Sequence, residues 1–269
     1  MSVSNMKTTD HKDHSADAMT LPCEKKSVAK EATKKEIRLE LIKILQAKNP
    51  HPKSELNYSN AFELLCAVML SAQATDVSVN KVTDRLFAKA NTPKALMELG
   101  EEGIASYIKS IGLWRAKAKN LAKLSQILHE KYNDIVPDNE KELVLLPGVG
   151  SKTAKVVLNV AFGHNTIAVD THIFRVCNRT GYCTGKTPLE IQDKLPKLVP
   201  DEFKKDAHHY FLLHGRYTCK ATSPQCSACE IAHLCSSYKN GVFKECKAMR
   251  DLGRGVKSKT AKTQNKKKS

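Results

Sequence analysis

Leu146-Pro147-Gly148-Val149-Gly150-Ser151-Lys152-Thr153-Ala154 joins two helical patterns through a turn that carries two glycines two residues apart. That is the signature of a helix-hairpin-helix, and it fixes how the rest of the chain is read. Gly148 and Gly150 lack a Cβ and can take positive φ, so backbone N–H groups of Gly148, Val149 and Gly150 at the mouth of the second helix can point at a phosphate oxygen. No base edge is read this way. A plain tight turn between two helices would look similar, but the flanking Leu-Pro and the basic start of the following helix favour the phosphate.

Outward from the hairpin, apolar residues keep recurring at helical spacing. Upstream lie patterns at Asn139 to Leu145, Ala116 to Tyr132, Glu101 to Ile111, Pro93 to Leu99 and Asp76 to Lys89, separated by turn signals at Pro137, Gly112 and Asn91. Ala61 to Ala74 is apolar almost all round, as suits a helix surrounded by others. A first amphipathic helix carries Ile37, Leu41, Ile42, Ile44 and Leu45 and is stopped by Asn49, Pro50 and Pro52. Downstream, Ser151 to Phe162 is closed by Gly163, and Asp170 to Asn178, Leu189 to Leu198, Phe203 to Arg216 and Glu230 to Leu234 continue the series. Strand alternation does not compete anywhere, so the fold class is all-α. Residues 1–32 and 244–269 lack apolar periodicity and are expected to be tails, the second one basic.

The 269 residues carry 44 Lys and Arg against 28 Asp and Glu, a formal net charge of +16, which attracts polyanions and makes nucleic acid the leading partner class. The first residues are polar throughout and nine cysteines follow no secretory leader, which argues against a disulfide scaffold and for the cytoplasm, near the nucleoid. No apolar run reaches the ~20 residues needed to span a bilayer.

Lys152 falls in the first turn of the hairpin's second helix, where the positive end of the helix dipole disfavours another cation. A lysine amine in its neutral form can attack a sugar C1′; a surface lysine bonding a phosphate is the commoner outcome of such a position. An acidic partner decides between them. The helix from Ser151 to Phe162 carries the chain ~18 Å away, and the seven residues Gly163 to Val169 can return it, since they span up to ~23 Å when extended. Asp170 can therefore stand opposite Lys152 and stabilise a cationic sugar, while also being an ordinary helix N-cap.

Cys219, Cys226, Cys229 and Cys235 follow the spacing C-x6-C-x2-C-x5-C and place four thiolates in one short loop. Such a loop asks for a metal, and spacing alone leaves zinc and a [4Fe–4S] cluster as alternatives. Cys23, Cys66, Cys177, Cys183 and Cys246 lack such spacing and read as core or incidental thiols.

With these residues assembled, the chain closely resembles the endonuclease III family from about residue 33 to residue 238. The likeness is carried by LSAQATDVSVNK (Leu70 to Lys81), LPGVGSKTA with VVLN (Leu146 to Asn159), AVDTHIFRVCNRT (Ala168 to Thr180), LHGRYTC (Leu213 to Cys219) and the cysteine spacing. The resemblance implies a bifunctional DNA glycosylase and abasic-site lyase, a monomer that removes oxidised pyrimidines from damaged double-stranded DNA. It places the family's Schiff-base lysine at Lys152, its catalytic aspartate at Asp170, and its DNA-intercalating positions at Gln73 and Leu113. It also implies a [4Fe–4S] cluster on the four cysteines. Two helical domains are implied, a six-helix one at 54–164 and a cluster domain formed by 33–53 with 165–243, the active site lying in the cleft between them. An adenine glycosylase of the same superfamily lacks a lysine at position 152. The loop Lys220 to Gln225 holds one basic residue where the family often places several.

Overall fold

A computed structural model describes residues 32–243, and among them none lies in a β-strand. The expected tails fall outside the described residues, Ala32 excepted, as do Cys23 and Cys246. The helices are α1 (Lys34–Lys48), α2 (Ala61–Leu70), α3 (Asp76–Lys89), α4 (Pro93–Ile108), α5 (Trp114–Tyr132), α6 (Glu140–Leu143), α7 (Ser151–Phe162), α8 (Thr171–Thr180), α9 (Pro188–Leu198), α10 (Lys204–Tyr217) and α11 (Ser236–Lys239).

Local chemistry accounts for most of their starts. Thr33 and Glu36 form a reciprocal capping box at α1, while Asn60, Thr75, Thr92, Asn139, Asp170 and Thr187 each accept an N3 amide hydrogen, satisfying a donor that the helix itself leaves unpaired. Gly163 and Gly181 close α7 and α8 in the left-handed conformation.

Two stretches depart from the sequence expectation, and a third bears it out. The helices expected at Pro93 to Leu99 and Glu101 to Ile111 are the two halves of α4, the second ending at Ile108; they meet without a loop at a kink, where Gly100 takes the non-helical φ 68° and ψ 173°. A Cβ there would meet nothing within 4 Å, so the backbone angle, not crowding, is what favours glycine. The buried helix from Ala61 stops at Leu70, because Gln73 enters the left-handed region at φ 56°. The helix expected at Glu230 to Leu234 is a single 3₁₀ turn, Ala232–Leu234, followed by α11.

Two buried cores result. One, within Leu56 to Leu158, gathers the apolar faces of α2 to α5 and α7, with Leu65, Leu86, Ile104, Leu121 and Leu128 fully buried. The other joins Leu41, Ile42 and Leu45 of α1 to α8, α9 and α10, where Tyr182 meets Phe211 edge-on at 4.9 Å. The first helix therefore packs with the far end of the chain. Asn159 of α7 links the cores by donating to His164 O at 2.9 Å and Lys205 O at 2.8 Å.

Candidate active site and cysteine centre

The hairpin turn precedes α7. Gly148 takes φ 79°, an angle that favours glycine, and a Cβ there would also displace the side-chain ends of Met69 (Cε at 2.8 Å) and Asn120 (Nδ2 at 2.9 Å). Gly150 has φ −93° and open space around its Cα; nothing in the fold demands glycine there, and the helix mouth is left clear for an incoming group. Val149 is buried, and its amide donates to Leu146 O at 3.1 Å, so this hydrogen bond closes the hairpin. The amides of Gly148, Gly150 and Ser151 find no acceptor among the described residues, and no side chain caps α7. Of the three expected phosphate donors, the glycines are free and Val149 serves as the anchor.

Lys152, the second residue of α7, is exposed and lines a cleft of about 230 Å³ together with Asp170, Gln73, Asp76, His208 and Arg216. Asp170 caps α8 through Ile173 N at 2.8 Å. Lys152, Asp170 and Gln73, which come from three separate segments, thus share one cavity. Leu113 and the hairpin glycines do not line it. Leu113 stands outside, 59% exposed and at φ 59°, as the N-cap of α5. Composition alone would have placed it in a core.

Three contributors escaped the sequence reading. His208 is buried against the cleft and its Nδ1–H donates to Ala168 O at 2.9 Å, two residues before Asp170; burial, aided by His209, lowers its pKa to about 4 and keeps the ring neutral. Arg216 of α10 reaches across to Glu55 and to Asp76, the latter at 2.5 Å, and Tyr217 also donates to Glu55. These contacts tie the second core to the cleft's opposite wall. Lys117 of α5 is buried and donates to Leu70 O at 2.9 Å and Ala72 O at 2.8 Å. Its sequence signal was a cation on the apolar stripe that continues through Leu121, Leu124 and Leu128. Arg216 lies within the LHGRYTC segment, but no local pattern names its partners, and for His208, whose partner is 40 residues away, there is no signal.

Cys219, Cys226, Cys229 and Cys235 line one separate pocket with Arg179, His214 and Ile231. Burial raises the Cys235 thiol and pushes Cys229 up to about 11, as expected of thiols in an apolar setting without a metal charge. Arg179 Nη1 approaches Cys219 Sγ at 3.6 Å and supplies a positive charge beside the thiols. Four sulfur donors with an adjacent guanidinium suit an anionic tetrathiolate centre. His214, Cys229 and Glu230 also bring donor atoms within 4.8 Å of one another, but Glu230 is engaged by Lys48 at 2.6 Å. Cys66, Cys177 and Cys183 are buried away from this pocket.

The family profile described as HhH-GPD superfamily base excision DNA repair protein matches residues 66–201. Endonuclease III of Escherichia coli K12 is 58% identical over 205 residues, covering 76% of this chain and 97% of that protein. Endonuclease III of Haemophilus influenzae is 57% identical over the same length and the same shares. A solved trapped endonuclease III–DNA covalent intermediate, an estranged-adenine complex, matches at TM-score 0.72 and 47% identity, covering 78% of this chain and 99% of that one. A non-covalent endonuclease III–DNA complex matches at TM-score 0.73 with the same identity and coverage.

Proposed function

The chain belongs to the endonuclease III family and is a DNA glycosylase and lyase of base excision repair, and on that premise we propose that Lys152 is its nucleophile and Asp170 its catalytic carboxylate. The observation that carries this reading is that the two residues, 18 positions apart in sequence, line one cleft.

The substrate is an oxidised pyrimidine in duplex DNA. The free amides at the hairpin and the dipole of α7 hold a phosphate, and the basic surface supplies the non-specific attraction. The damaged nucleotide turns out of the stack into the cleft, while Gln73 and Leu113 enter the vacated space. Lys152 Nζ attacks C1′; the Nζ–C1′ bond forms as the C1′–N1 bond breaks, and the base leaves with the electron pair and takes up a proton. The Asp170 carboxylate faces the positive charge that develops on the sugar and lowers its energy. Opening of the sugar ring gives a Schiff base. Loss of a C2′ proton then expels the 3′ phosphate as the C3′–O bond breaks.

The four cysteines hold a [4Fe–4S] cluster, which on the family's account is a resident cofactor; when bound it supplies a crosslink that orders the loop. Residues 54–164 form the domain that carries the hairpin, and 33–53 with 165–243 the cluster domain, a division supported by the sequence limits of the two buried cores. The enzyme works as a monomer on double-stranded DNA in the cytoplasm, at the nucleoid. Borohydride trapping on a thymine-glycol duplex beside an abasic duplex tests the whole reading: a covalent adduct on both is expected, and an adduct on neither overturns it.

A further inference from the structure

Lys117 is the one lysine buried among the described residues, 7% exposed, and no carboxylate pairs with it there. A buried ammonium that lacks an acidic partner is costly, and an apolar side chain would fill this place on the core face of α5 more favourably. Its two acceptors explain the retention. Leu70 O and Ala72 O belong to the end of α2 and the turn beyond it, where carbonyls have no helical partner and carry the negative end of the helix dipole. Ala72 is the residue before Gln73. The backbone amide of Lys117 makes the first helical bond of α5, to Leu113 O at 3.0 Å, so the residue is rooted one turn from Leu113 while its side chain reaches the turn that carries Gln73.

Both turns are conformationally costly. Gln73 at φ 56° and Leu113 at φ 59° are two of the four non-glycine residues with positive φ among those described, and such angles persist only where surrounding contacts impose them. The turns also lie close together: a Cβ on Gly112, were one present, would be in van der Waals contact with Gln73 O at 3.9 Å. If Gln73 and Leu113 are the residues that enter DNA, as proposed above, their spacing must be set before binding, since ordering two loops on the duplex would weaken capture of the extruded base.

We propose that Lys117 is a positioning residue that clasps the Gln73 turn to the Leu113 turn, so that the two side chains enter the duplex as one preset wedge. Lys117 touches neither the sugar nor Lys152, and its removal acts on base extrusion while leaving the lysine–aspartate chemistry intact.

The experiment compares Lys117→Met, Gln73→Ala and Leu113→Ala with the wild-type holoenzyme. Extrusion is read by 2-aminopurine fluorescence opposite a thymine glycol, and chemistry by single-turnover excision on the same duplex. Borohydride trapping on a single-stranded abasic oligonucleotide requires no extrusion and reports an intact active site. For Lys117→Met we expect a slowing of duplex excision of about tenfold or more, with a matching loss of fluorescence change and single-strand trapping near wild type. Lys117→Gln, which keeps a polar head but cannot reach both carbonyls, is read the same way should the Met variant fold poorly. Wild-type extrusion in Lys117→Met beside impaired Gln73→Ala and Leu113→Ala overturns the clasp. Parallel loss of single-strand trapping also overturns it, by making Lys117 a general support of the fold. If Gln73→Ala and Leu113→Ala themselves extrude normally, the wedge reading has failed, and the clasp with it.

Discussion

Asp170 Oδ1 accepts the amide hydrogen of Ile173 at 2.8 Å, so the carboxylate that faces the cleft also caps α8. Asparagine caps a helix about as well as aspartate but carries no charge. Asp170→Asn should therefore keep the melting temperature close to wild type while single-turnover excision falls by about 10²-fold or more, the scale of losing one preorganised electrostatic group. Asp170→Ala should lose the cap as well, about 1 kcal/mol of stability. Wild-type turnover in the Asn variant would return Asp170 to a purely structural role.

Lys152 is exposed at the start of α7, and the fold does not depend on it. Lys152→Gln should melt like wild type and bind an abasic duplex in a gel-shift assay, yet give no borohydride adduct and no excision. An adduct that persists through another lysine would contradict the assignment.

His208 gives a pH dependence with a definite sign. Its ring, buried and neutral, has its pKa lowered from 6.5 to about 4 by burial and by His209. The unfolded chain takes up a proton near the ordinary value and the folded chain does not until about 4, so the contribution is complete above the ordinary value and declines as pH falls towards 4. The stability lost between the ordinary value and the lower end amounts to about 3 kcal/mol. His208→Asn keeps a donor for Ala168 O without a titrating ring. Urea unfolding at about pH 7.5 and about pH 4.5 should show a smaller loss in the variant, by about 2 kcal/mol, and identical losses would show that His208 does not contribute.

A metal that organises a loop contributes to folding, because the unfolded chain has no preformed site. Cys226→Ser should lower iron and sulfide content and thermal stability together. Any correctly folded fraction should still form the Schiff base at saturating enzyme, since the thiol pocket and the cleft share no lining residue. Purified wild type should contain iron and inorganic sulfide in equal amounts. A colourless protein with stoichiometric zinc and full activity would replace the cluster by a zinc site.

The sequence by itself determined the features whose causes lie within a few residues along the chain. Thr75 and Gly163 are local start and stop signals, so α3 and α7 run at Asp76–Lys89 and Ser151–Phe162 as their patterns predict. The hairpin, the candidate Lys152 and Asp170, and the cysteine spacing were legible for the same reason: each is a short motif with its own chemistry. Only the tertiary structure decided the rest. That Leu113 stands in solvent while Lys117 lies in the core reverses what hydrophobicity alone predicts, because a left-handed turn sets where α5 begins and two carbonyls more than 40 residues away receive the ammonium. Arg216 meets Asp76 across 140 residues, and Asn159 joins the two cores through Lys205, contacts whose partners no local pattern specifies. Propensity, capping and periodicity act between neighbours in sequence. The shape of the cleft depends on hydrogen bonds and ion pairs that exist only once distant helices have packed.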